Sequence, residues 1–153
     1  MTTTSKPAPK ESSTAFTAEE RAAMKARADE VRASRGRAKG KAAAEAQAVQ
    51  DAIAALPTAD RALAEKLHVL VTEAAPELAP KTWYGMPAYA NAAGKVVVSF
   101  KDSGKFGQRY STLEFQDSAH LDDGDIWPVG FAMIAWTPEV EEKVAALVRA
   151  AVS

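Results

Sequence analysis

The chain has 153 residues, 47% of them apolar and 25% charged, and carries a formal net charge of −1. That balance suits one folded domain with an added segment, and it excludes wholesale disorder, collagen-like repeats and bulk attraction to nucleic acid or anionic membrane. With no cysteine and two histidines, His68 and His120, it also excludes disulfides, thiolate zinc sites, iron–sulfur clusters and cysteine nucleophiles.

Residues 1–15 are Thr, Ser, Pro, Lys and Ala without apolar periodicity, which predicts a disordered tail. Residues 16–41 form a basic, Ala-rich segment that reads as a helix and linker. Thr17 and Glu20 make a capping box, and Met24, Ala28 and Val31 follow at i, i+4, i+7. Arg32, Arg35, Arg37, Lys39 and Lys41 then suit a helix C-terminus, with Gly36 and Gly40 as its stop. Residues 1–41 hold 10 Lys/Arg against 5 Asp/Glu, whereas residues 42–153 hold 9 against 15.

Residues 42–153 carry the domain. A helix over 42–56 presents Val49, Ile53 and Leu56 before Pro57. A second over 59–75 presents Leu63, Leu67, Leu70 and Ala74, with Thr58 as cap and Pro76 as stop. Four short strands are expected at 86–91, 95–100, 109–115 and 131–136, the third alternating Tyr110, Thr112, Glu114 against Ser111, Leu113, Phe115. A final helix over 138–151 has Thr137 as cap and Pro138 at its first position. Short links between strands mean antiparallel pairing. The fold class is therefore α+β: an antiparallel sheet of about four strands with helices packed on one face, plus the extra N-terminal helix.

No motif states a reaction. Gly36-Arg37-Ala38-Lys39-Gly40-Lys41-Ala42 has three spacers where a phosphate loop has four, and Ala where magnesium needs a hydroxyl. Gly104-Lys105-Phe106-Gly107 matches a KH clamp in letters only, and Trp127 occupies a ligand position of any calcium loop starting at Asp123. The basic run 32–41 has no interleaved aromatic residue to stack bases, so nucleic acid is not an expected partner. His68, beside the leucine stripe, reads as a half-buried structural histidine. Between Tyr110 and Glu142 lie eight acidic residues and no Lys or Arg. A solvated face accounts for them, and a weak oxygen-ligand metal site built from His120, Asp122, Asp123, Asp125, Glu139 and Glu141 is the functional alternative.

The segment KTWYGMPAY, residues 81–89, follows APEL and precedes GKVVVSF, KFGQRYSTLEF and LDDGDIWP. In this order the parts resemble the bacterial family typified by YdhG, over roughly residues 45–152; Tyr84 lengthens that family's Trp-Gly-Met-Pro form, and residues 1–41 lie outside the shared domain. The resemblance implies a compact α+β domain of mostly unknown function, some of whose members are described as frataxin-like intracellular iron chaperones, with weakly bound iron as the implied cofactor. No agreed ligand set maps onto this chain.

From the residues themselves, Trp83, Tyr84, Met86, Pro87 and Tyr89 place a large apolar surface at the sheet entry, with Trp127 and Pro128 opposite. The first reading is core packing, and the second is a ligand groove with Arg109 or Lys81 as an anion anchor. The leading functional expectation, which the resemblance implies, is a non-enzymatic, cytoplasmic binding protein of the YdhG-like type that handles iron; its partner class is a small ligand or a metal. An aromatic-groove enzyme or small-molecule domain is the alternative, and a protein-interaction module using the basic arm and the acidic face is the third. No apolar run reaches the roughly 20 residues that span a bilayer, so no membrane partner is expected.

Overall fold

The computed structural model describes residues 17–153, so the tail expected over 1–15 lies outside the described residues. The chain divides into two units, one ending at Lys39 and one running from Gly40 to Ser153.

Helix α1 spans Ala18–Ala54 without a break. The Thr17 hydroxyl accepts from the Glu20 N–H at 3.1 Å, as the capping box predicts. Gly36 and Gly40 do not stop the helix, which corrects the expected division into two helices. Each glycine costs about 1 kcal/mol relative to alanine, and the surrounding run of Ala, Arg and Lys carries the helix through. In the first unit every described residue of α1 is exposed; in the second, Val49 and Ile53 are buried.

Helix α2 (Thr58–Ala74) buries Leu63, Leu67 and Leu70 as expected, together with Asp60, Ala64 and Val71. Its N-cap is Pro57 and makes no side-chain bond, so Thr58 is the first helical residue and not the cap. Helix α4 (Pro138–Val152) is capped as predicted: the Thr137 hydroxyl accepts from the Val140 N–H at 3.2 Å. Between Asp102 and Gly107 the chain forms the short helix α3 (Ser103–Phe106). The Asp102 carboxylate accepts from the Lys105 N–H, and Gly107 ends the helix at φ 62°.

The sheet has five antiparallel strands in sequence order, one more than expected: β1 (Ala79–Trp83), β2 (Met86–Ala90), β3 (Val96–Lys101), β4 (Ser111–Phe115) and β5 (Gly130–Met133). β1 and β2 meet through a two-residue turn, Tyr84-Gly85, with Trp83 opposite Met86. Pro87 is tolerated inside β2 because pairing with β3 begins only at Ala88↔Ser99. A bulge interrupts that pairing: Tyr89 faces Val98 but Ala90 faces Val96. The extra residue, Val97, turns its side chain to the same side as Val98, and both are buried in the core. β5 ends at Met133, short of the expected Trp136, and Ile134 is exposed.

Registers divide the sheet into two faces. Tyr89, Val98, Phe100, Leu113, Phe115 and Met133 form one core with Val49 and Ile53 of α1, the apolar stripe of α2, and Val144, Val148 and Ala151 of α4. The opposite face carries Lys81, Trp83, Met86, Ala88, Ser99 and Glu114. No helix among the described residues is long and apolar enough to cross a membrane.

A candidate anion cleft beside Trp83

Lys81 and Trp83 alternate on β1 and so share the face away from the helices. Together with Lys95, Val96, Gln116 and Ser118 they line an open cleft of about 310 Å³. Asp117 is its one carboxylate. Neither lysine forms an ion pair with a described residue. The Ser118 hydroxyl donates to the Val96 carbonyl at 2.7 Å and fixes the cleft floor. A cleft of about 330 Å³ beside β5 and α4 is lined mainly by apolar side chains, with Lys143 as its one charged residue. The Trp83 cleft joins a ring to two cations, a combination that fixes a ligand's orientation.

The expected groove set does not stay together. Tyr89 and Met86 are buried, on opposite sheet faces, and Pro87 is buried between them in sequence. Trp83 is half-buried and lies outside the core, which corrects the core-first reading for this residue. Tyr84 is 79% exposed. Arg109 is exposed, with its guanidinium 5.5 Å from the Tyr110 ring, and neither Arg109 nor the half-buried Trp127 lines the cleft.

The proposed metal ligands are not gathered. Asp122, Asp123, Asp125, Glu139 and Glu141 are exposed, and no group of three or more His, Asp or Glu among the described residues is placed to hold a metal ion. His120 ties its loop to the end of α4: its N–H donates to the Ala151 carbonyl at 2.9 Å, and ring Nδ1 lies 2.8 Å from the Ser153 main-chain oxygen.

The partners in two polar arrangements escaped sequence reasoning. Asp60, in the first turn of α2, is 4% exposed. One carboxylate oxygen accepts from the hydroxyls of Ser103 and Ser111, each at 2.7 Å, and the other from the Gly104 N–H at 3.1 Å. Burial pushes this carboxyl's pKa up, but the Ser103 and Ser111 hydroxyls and the Gly104 and Ser103 N–H groups outweigh it and hold the pKa below 3.8. The partners lie 43 to 51 residues away, so no local pattern announces them.

The second arrangement is His68, half-buried as expected. Its Nδ1 lies 2.9 Å from the Tyr89 hydroxyl and its Nε2 lies 3.0 Å from the Gln50 amide. Burial lowers the histidine pKa below 6.5 and raises that of Tyr89 well above 10.0. With both ring nitrogens engaged, His68 joins α1, α2 and β2.

Geometry thus defines an antiparallel α+β meander with a cationic, aromatic cleft on its helix-free face. No protein-family model, curated protein or solved structure matches the chain.

Proposed function

We propose that the chain is a non-enzymatic binding domain that takes a small anion bearing a planar ring in the Trp83 cleft. One observation carries this reading: two ammonium groups without an ion pair among the described residues, Lys81 and Lys95, line the same cleft as a half-buried indole. The ammonium groups supply charge and the indole supplies a stacking surface, so a ligand with both features gains more than one with either. A binding role is further supported by the histidines, since His68 and the Nδ1 of His120 are engaged in hydrogen bonds that hold elements together. The iron reading rests on the family resemblance alone, because the acidic residues that would serve it are dispersed.

Adenosine monophosphate is a suitable probe, followed by tryptophan emission. Saturable quenching is expected with a dissociation constant on the order of 0.1 mM, equivalent to roughly −5.5 kcal/mol. Adenosine and inorganic phosphate alone bind more weakly. Lys81→Gln and Lys95→Gln each weaken binding roughly three-fold, as exposed charge contacts do, and Trp83→Phe removes the signal. An emission spectrum unchanged by the nucleotide, or adenosine binding as tightly as its phosphate, overturns the reading.

A further inference from the structure

Cations alone do not make a nucleic-acid surface; they must be interleaved with exposed rings on which bases stack. The basic arm of α1 fails that criterion, but residues 81–110 meet it. This stretch holds Lys81, Lys95, Lys101, Lys105 and Arg109 against a single acidic residue, Asp102. Asp102 is 5% exposed and is occupied in capping α3. The net charge of −1 conceals this local excess, since residues 111–142 carry eight acidic residues and no Lys or Arg.

Rings and ammonium groups alternate along the surface. The Trp83 ring, in the cleft, meets the Tyr84 ring edge-on at 5.0 Å between centroids. Lys105 Nζ lies 3.4 Å from the Tyr84 carbonyl oxygen and 5.7 Å from the centre of the Phe106 ring. Lys101 Nζ lies 4.5 Å from the same ring, which is 42% exposed. Bases and phosphates alternate in the same way along a single strand.

Tyr84 adds an independent observation. It sits at φ 51°, the left-handed region, in the turn Tyr84-Gly85. Asn or Gly fills that position without strain, and an aromatic side chain there is an outlier held in a costly conformation. The strain buys no burial, because the ring is 79% exposed. Apart from its edge-on contact with Trp83, the ring stands open at a strained turn tip, beside a lysine.

We propose that the surface from the Trp83 cleft over Tyr84 to Phe106 binds single-stranded nucleic acid, with bases on Tyr84 and Phe106 and phosphates on Lys101 and Lys105. The proposal rests on the cleft reading for the nucleotide seated against Trp83, and extends the ligand to a strand.

Fluorescence anisotropy of a fluorescein-labelled oligothymidylate about twelve nucleotides long, with the full chain at low salt, tests it. Binding that weakens with salt is expected. Tyr84→Asn relieves the backbone strain and so leaves the fold intact, yet it should weaken binding about ten-fold, while Tyr84→Phe stays within about two-fold. The double variant Lys101→Gln/Lys105→Gln should lower the salt slope by about 1.4, from two lost phosphate contacts. Arg35→Gln/Arg37→Gln in α1 should leave the Tyr84 effect unchanged. Absence of binding, equal binding by Tyr84→Asn, or equal competition by polyglutamate of matched charge overturns the proposal. Adenosine monophosphate quenching that persists in any of these cases shows that the strand reading fails while the cleft reading stands.

Discussion

At the scale of single residues, Asp60 is the most consequential polar group in the domain. Its carboxylate joins the start of α2 to α3 and β4 through three hydrogen bonds, without any cation. Asp60→Ala strands the buried Ser111 hydroxyl and removes the acceptor of the part-buried Ser103 hydroxyl and Gly104 N–H, and urea denaturation should show a loss of about 1–3 kcal/mol. Gly104→Ala acts on the same clasp from the other side. A Cβ there lies 3.0 Å from the Pro57 Cγ and 3.3 Å from the Asp60 carboxylate, so a loss of about 1–3 kcal/mol is expected. Asp60→Ala melting like the parent would show that the clasp contributes nothing. Ser99 is the contrasting case: its hydroxyl is fully buried and has no hydrogen-bond partner among the described residues.

Among the elements, α1 separates what local chemistry reveals from what it hides. The α4 cap, Thr137 with Pro138, and the alternation of β4 were legible because each depends on residues within one turn or one strand. The continuity of α1 was not, because Gly36 and Gly40 look like punctuation and only the summed propensity of their neighbours overrides them. β1 was missed for another reason. It contains Pro80, it lies at a sheet edge, and its burial does not alternate, so only its pairing with β2 makes it a strand. The cleft was half-legible: Trp83 and Lys81 stood out as residues, but Lys95 joins them only across the sheet. Since the helix buries nothing before Val49, a variant lacking residues 1–39 should unfold cooperatively, with its midpoint within about 0.5 kcal/mol of the parent. A variant without a cooperative transition would show that the basic arm is needed for the fold.

For the molecule as a whole, buried Asp60 and Tyr89 and half-buried His68 shape the dependence of stability on pH. His68 has its pKa lowered in the folded state, so its contribution is complete above pH 6.5 and is lost as pH falls through the folded value. Asp60 is also lowered, so its contribution is complete above pH 3.8 and is lost on further acidification. Tyr89 is raised, so its contribution is complete below pH 10.0 and is lost as pH climbs beyond that. Stability should therefore be flat between about pH 6.5 and 10, with separate acid and alkaline declines. Urea midpoints measured across pH would show this plateau, and His68→Gln should flatten the first acid decline. A parent slope unchanged by that substitution would remove His68 as its source.

The strictly sequential order of the sheet also bears on how the protein is made. Each strand pairs with the one synthesised just before it, so the sheet can grow by short loop closures as the chain leaves the ribosome. The helix-facing side cannot be completed in the same way. Val144, Val148 and Ala151, which fill the core beside α2, belong to α4, a helix made only after all five strands. Until α4 emerges, a nascent chain with all five strands already paired carries an open apolar trough along α2. That interval, rather than any strand-pairing step, is when the growing chain is most exposed to aggregation and most in need of a chaperone.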